Sequence, residues 1–314
     1  MMRYALRRLL LAMAIVLCAT SLLFCLIFVL PGDPTAVALG PMASAAMRAD
    51  FARRMGLDRP LAEQFLRFLA HMLAGNLGRD VFADRPVATI ILDALPHTLA
   101  LTVFGLGWAV LIGIPAGCWA AVRPDGWFDR ISGVLAVAAI AVPSFVVALY
   151  ALLLFAETLR WLPAIGAGEP GHPVDQLRHL VLPSLAIGLG WVGYLARLVR
   201  SSMLEVLAEN HVRTARAYGI GERRVVFRYA LRLAVLPTIA LLGVSVGHLL
   251  SGAVFAEIVF ARPGLGKLVY DAVITRNYPL VSGTVLVTTA LFACCTLAAD
   301  LLVAGLDPRV RAAL

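Results

Sequence analysis

Charge is what this sequence has least of. Only 15% of its 314 residues are Asp, Glu, Lys or Arg, against roughly a quarter in a soluble domain, while 61% are hydrophobic. With a mean hydropathy of +0.88, such a chain is too apolar to be a water-soluble globule. Spaced thiols are lacking too. Cys18, Cys25, Cys118, Cys294 and Cys295 all lie inside apolar stretches, which indicates packing residues rather than a disulfide framework or a thiolate metal site. His71, His97, His172, His179, His211 and His248 are dispersed without metal-ligand spacing, so a metal-dependent membrane enzyme is not indicated. A phosphate-binding loop is also missing. Its pattern needs a Gly, four residues and then Gly-Lys-Ser/Thr. At Gly266-Lys267 the next residue is Leu268, and Ala261 stands where the first Gly belongs.

What is abundant is uncharged length. Apolar runs occupy Leu9–Leu30, Thr98–Val122, Ile131–Ala156, Leu180–Ala196, Leu233–Ala256 and Leu280–Ala299, each near the ~20 residues that carry a helix across ~30 Å of hydrocarbon. The expectation is an all-α integral membrane protein with six transmembrane helices. The first run follows Arg3, Arg7 and Arg8, as a secretory signal would, but it extends into Pro31-Gly32-Asp33-Pro34 without a short apolar core and small-residue cleavage site. It reads as a retained helix.

The few charges are unevenly placed. Arg197–Arg232 carries eight Arg against Glu205, Glu209 and Glu222, the N-terminal segment carries three Arg and no acid, and the tail carries Arg309 and Arg311 against Asp307. Pro31–His97 balances seven Arg with seven acids, Glu157–His179 has two Arg against three acids, and Glu257–Pro279 has three basic residues against two. Basic residues collect on the cytoplasmic side of membrane helices, so both termini and the 197–232 segment are expected there. The net charge of +8 is mostly this asymmetry and not a nucleic-acid footprint. The organisation that follows is a tail and first helix over 1–30, an outer lobe over 31–97, a core of five transmembrane helices over 98–305 with a cytoplasmic loop at 197–232, and a tail over 306–314.

Two non-membrane segments carry pattern. In the outer lobe Leu61, Phe65, Phe68, Leu69, Met72 and Leu73 recur at helical spacing before the breakers Gly75, Gly78 and Pro86, which predicts an amphipathic helix packed over the bundle or lying at the interface, or else a binding platform. The inner segment reads as good helix formers up to Tyr218, a Gly219 suited to a C-terminal cap, and a second helix from Gly221-Glu222 towards Pro237. Composition alone leaves a helix–Gly–helix device and a solvated basic loop equally open.

Polar groups inside spans are expensive and therefore informative. His248 is the titratable side chain well within a span, with Ser144 and Ser245 as milder candidates for a substrate pathway and interhelical hydrogen bonding as the structural alternative for His248. Asp300 ends the sixth run. Pro115, Pro143, Pro183 and Pro237 are expected to kink spans, and Gly113-x-x-x-Gly117 and Gly243-x-x-x-Gly247 to bring helices close.

The stretch His211-Val212-Arg213-Thr214-Ala215-Arg216-Ala217-Tyr218-Gly219, with Leu236-Pro237 beyond it, resembles the cytoplasmic signature loop of binding-protein-dependent ABC importer permeases, in the dipeptide, oligopeptide and nickel branch. Further matches are Pro31-Gly32-Asp33-Pro34, Met55-Gly56-Leu57-Asp58 with Pro60, Trp161-Leu162-Pro163-Ala164, Phe260-Ala261-Arg262-Pro263-Gly264-Leu265-Gly266-Lys267, Asn277-Tyr278-Pro279 and Asp307-Pro308-Arg309. They run in order along essentially the whole chain. Departures are Arg213-Thr214-Ala215 where the wider family has Glu-Ala-Ala, and Arg262 and Asn277 where the branch more often shows Trp and Asp, positions expected to bear on an outer partner or gate contact.

The resemblance implies a type I ABC importer permease fold in a bacterial inner membrane. It implies a second permease, two cytoplasmic ATP-binding subunits that use ATP and Mg, an extracytoplasmic solute-binding protein, and a lipid surround. A helix at about Glu205–Tyr218 would be the coupling helix, with Arg213, Thr214, Ala215, Arg216, Gly219 and Glu222 as its contact set. A Cβ at Gly219 would oppose the left-handed cap and block close approach. The implied cargo is a di- or oligopeptide, with nickel or a metal chelate as the alternative. Rivals from other classes are an ion-coupled secondary transporter, against which the absence of midplane carboxylates and inverted repeats counts, and a channel, which leaves the helix–Gly–helix segment without a role.

Overall fold

The structure, a computed structural model, describes residues 2–29, 40, 43–55 and 58–306. The motifs at Pro31–Pro34, Gly56-Leu57 and Asp307–Arg309 lie outside them. Helices α1 (Met2–Val29), α2 (Ala45–Met55) and α3 (Leu61–Leu73) precede α4 (Val87–Val122), α5 (Trp127–Ala141) and α6 (Ser144–Ala151), which continues as a π-helix over Leu152–Thr158. Then come α7 (Pro173–Leu207), α8 (Asn210–Ala217), α9 (Glu222–Arg224), a π-helix over Val225–Ala230, α10 (Leu231–Ala234), α11 (Leu236–Val259), α12 (Leu265–Ile274) and α13 (Tyr278–Leu306).

Among the described residues four helical stretches are long and apolar enough to cross a membrane: Ala5–Cys25, α4, α7 and Tyr278–Leu301. The six expected spans are thus not all single rods. The run Ile131–Ala156 divides at Pro143 into α5 and α6, which meet the same test only together and are bent by 99°. Pro143 has no N–H to donate and disfavours helical geometry in the residue before it. Accordingly Val142 is extended, with φ −83° and ψ 122°. The run Leu233–Ala256 falls largely in α11, a 24-residue helix. The other prolines occupy two different settings. Pro115 and Pro183 sit inside the continuous helices α4 and α7, and Pro237 starts α11, where an N–H has no helical partner anyway.

Helices α4 and α7 run parallel and form the spine. A Cβ on Gly188 of α7 would lie 2.5 Å from the Gly105 carbonyl oxygen, and one on Gly113 of α4 would lie 2.9 Å from that of Val192. Only glycines let the two backbones approach so closely, which makes the Gly113–Gly117 pair a packing seam. Gly247 similarly lies under the Phe292 ring of α13. Around the spine, Leu101, Ile187, Leu249 and Ala253 fill the middle. Val87, Ile91, Leu265 and Leu280 close the end where α4 begins.

The amphipathic outer helix is α3. Its Phe65 and Phe68 rings lie 5.2 and 5.6 Å from Phe24 of α1, so it packs over the bundle. Arg8 of α1 pairs with Asp300 of α13 at 3.0 Å. Asp300 therefore serves to join two helices, and the start of α1 and the end of α13 lie at one end of the bundle.

Candidate functional site

At the arginine-rich end α7 runs to Leu207, so Glu205 belongs to this long helix and not to the short one that follows. The chain breaks at Glu209, which is extended with φ −70° and ψ 153°, and restarts as α8 at Asn210. Val212 and Ala215 point inward and are buried with Cys118 and Ala121 of α4, Val199, Met203 and Val206 of α7, and Val225, Val226 and Ala230 of the following π-helix. Eight residues would be marginal as a free helix. This apolar socket holds them as part of the ends of α4 and α7.

Gly219 terminates α8 with φ +72°. Its N–H donates to the Arg216 carbonyl at 2.9 Å and the Ile220 N–H to the Ala215 carbonyl at 3.2 Å, the pattern of a glycine-capped C-terminus. A Cβ there would meet no atom of this chain within 4 Å. Within the chain the glycine is required by its backbone angle, and crowding can come only from a partner. Arg216 then reaches across the turn to Glu222 with two hydrogen bonds, Nη2–Oε1 at 2.7 Å and Nε–Oε2 at 3.1 Å. The guanidinium's hydrogen bonds hold the Glu222 carboxyl below its ordinary value, and the carboxylate raises that of Arg216.

Of the sequence-selected residues, Arg213, Thr214, Arg216, Gly219 and Glu222 share this exposed surface. Thr214 donates to the Asn210 carbonyl at 2.9 Å. Ala215 is the correction, because it is buried in the protein's own core and offers no contact to a partner. Tyr218, which sequence reading passed over, is 82% exposed at the tip of the turn.

A second feature lies at the α5–α6 break. A cavity of about 330 Å³ is lined by Val142, Pro143, Ser144, Trp191, Tyr194 and His248, among others. The His248 ring centroid is 6.1 Å from that of Trp191. Ser144 and His248 are thus brought together. Ser245 is not, being fully buried with its hydroxyl donating to the Leu241 carbonyl at 2.8 Å. Among the described residues no three His, Cys, Asp or Glu side chains come together to hold a metal ion.

Sequence reading also missed a buried network at the opposite end. Glu257 accepts a hydrogen bond from the Thr98 hydroxyl at 2.6 Å and from the backbone N–H groups of Gly266 at 2.7 Å and Lys267 at 3.1 Å. The Thr98 oxygen in turn accepts from the Leu265 N–H at 2.8 Å. The carboxylate so caps α12, satisfying donors that a helix start leaves orphaned. Asn277 donates to the buried Asp80, whose other oxygen accepts from the Phe82 N–H at 3.0 Å. Arg262 and Asn277 are each only 2% exposed, so in this chain they are interior residues and not outward contacts.

A long broken bundle that hangs a short, socketed helix at one end matches known membrane transport components. The model of the binding-protein-dependent transport system inner membrane component matches residues 113–312, and that of the N-terminal part of such membrane components matches residues 1–102. The chain belongs to this family. The permease is 38% identical over 311 residues to the glutathione transport system permease protein GsiC of Salmonella paratyphi A, covering 99% of both chains. It is 33% identical over 332 residues to the dipeptide transport system permease protein DppB of Alkalihalophilus pseudofirmus, covering 99% of this chain and 100% of the relative. Among solved structures, an inward-facing form of the MetNI methionine ABC transporter matches with a TM-score of 0.58 at 18% identity, covering 70% of this chain and 97% of that one. That match supports the fold alone. This permease is accordingly a multi-pass component of a bacterial inner-membrane ABC transport system, and its family is one of transport subunits and not of ATPases.

Proposed function

We propose that this permease is one half of a heterodimeric translocation pathway in an ABC importer for di- and oligopeptides, tripeptides of the glutathione kind included. In this reading an extracytoplasmic solute-binding protein delivers the peptide, and two cytoplasmic subunits hydrolyse Mg-ATP. The chain crosses the membrane six times with both termini cytoplasmic, α5 and α6 forming one bent span and α11 another. The divisions 1–30, 31–97, 98–305 and 306–314 are then the first helix, the outer lobe, the core with its coupling loop at 197–232, and the tail. The observation that carries the proposal is α8, whose buried Val212 and Ala215 fasten it to the spine while Arg213, Thr214, Tyr218 and Gly219 remain exposed. A helix fixed in this way moves as a lever with α4 and α7 when the subunit beneath it closes. Ser144 and His248 line the pathway at the α5–α6 break.

The test is Gly219→Asp in the assembled transporter. The variant is expected to reach the membrane but lose the ATPase subunits on co-purification; retention of those subunits at wild-type level overturns the coupling assignment. Cargo is read separately, from the ligand of the cognate binding protein offered a peptide library beside nickel and its chelates. Selection of nickel alone would replace peptide with metal.

A further inference from the structure

Helix α5 is fastened to α7 at two places. At its first turn Asp129, almost fully buried, accepts from Arg200 of α7 through both oxygens, with Nη2–Oδ2 at 2.6 Å and Nε bonded to Oδ1. The Asp125 N–H adds a third hydrogen bond to Oδ2 at 2.9 Å. A two-pronged guanidinium–carboxylate pair fixes orientation as well as distance, and the negative charge sits where the start of a helix favours it. Midway along, α5 and α7 touch backbone to backbone, since a Cβ on Gly193 would lie 2.6 Å from the Ala136 carbonyl oxygen.

The two ends of this fastened pair lead to the two candidate sites. Beyond Arg200, α7 runs to Leu207 and passes through Ala208 and Glu209 into α8. Beyond Ala136, α5 runs to the Val142–Pro143 break, and Ala139, Ile140, Val142 and Pro143 form one wall of the cavity that holds His248. We propose that Asp129 and Arg200 are positioning residues that couple the two: the ion pair makes α5 follow α7, so that displacement of α8 moves the cavity wall. This rests on α8 being the coupling helix.

The complete transporter, with both permeases and both ATPase subunits, tests the link by hydrogen exchange before and after trapping with ATP and vanadate. In the wild type, amides of α8 and of α5 are expected to change protection together. In Asp129→Asn and Arg200→Gln the α8 response is expected to persist while the α5 response falls at least threefold, and the charge swap Asp129→Arg with Arg200→Asp should recover most of it. A merely structural pair would lower thermal stability without separating the two responses. An α5 response of wild-type size in both single variants overturns the proposal, as does a swap that assembles but recovers nothing, or single variants that lose the ATPase subunits. Absence of any α8 response in the wild type fails at the earlier step, the coupling assignment.

Discussion

At the arginine-rich end the groups that matter lie on the outside: Arg213, Thr214, Tyr218 and Gly219 are exposed around a turn whose shape depends on one left-handed glycine and one surface ion pair. At the opposite end Glu257, Arg262, Asn277 and Asp80 are buried, and Glu257 alone ties α4, α11 and α12 together through Thr98 and two backbone N–H groups. The first arrangement presents chemistry to another molecule and contributes little to the chain's own stability. The second spends the Glu257 carboxylate and the Asp80–Asn277 pair on the fold. Substitutions should therefore separate cleanly, with stability lost at one end and assembly lost at the other.

The largest stability effect is expected from Glu257→Ala, which takes the acceptor from two buried donors and one half-buried one. A loss on the order of 3 kcal/mol or more should appear as a lowered melting temperature of the purified permease. Glu257→Gln should recover part of it, since the amide keeps one accepting oxygen. Next is Gly264→Ala, because a Cβ there would run into the Glu257 carboxylate. Displacing that group should cost about 1–3 kcal/mol by the same measurement, with ATPase association retained in whatever folds.

Tyr218→Ala sharpens the contrast from the other side. It should leave the stability within about 0.5 kcal/mol of wild type yet reduce co-purification of the ATPase subunits. A stability loss as large as that of Gly264→Ala would break the comparison. The smallest effect is expected from Arg216→Ala, because exposed ion pairs contribute roughly 0–1 kcal/mol and are screened by salt. Since the hydrogen bonds from Arg216 hold the Glu222 carboxyl below its ordinary value, its contribution is present above the ordinary carboxylate range and is lost as pH falls through the lower folded value. Melting curves of wild type and Arg216→Ala should therefore differ at neutral pH and converge in acid.

Much of this was legible from residues alone. Long uncharged runs imply membrane helices wherever they occur, and the helix–Gly–helix device follows from local helix formers and one cap. What escaped depended on distance along the chain. Glu257 reads as an ordinary loop charge because its hydroxyl partner lies 159 residues away, although a lone acid closing an uncharged run just before Pro263-Gly264-Leu265-Gly266 was a usable signal. Arg200 reads as one more cytoplasmic arginine, yet its partner is 71 residues upstream. The inward turn of Ala215 and the choice of Pro143 over Pro115 and Pro183 as the breaking proline are decided by neighbours that packing brings together. The break before α8 carries no Gly or Pro, so helix propensity ran the predicted element back to Glu205.

The Arg8–Asp300 contact sets an order on the making of the protein. Helix α1 is synthesised well before α13, along which it chiefly packs. At ~5–20 residues per second of synthesis, Arg8 waits roughly 15–60 s in the bilayer before its carboxylate exists. For that interval α1 is a guest of the lipid and the insertion machinery, and the seam it shares with α13 closes only once α13 has arrived.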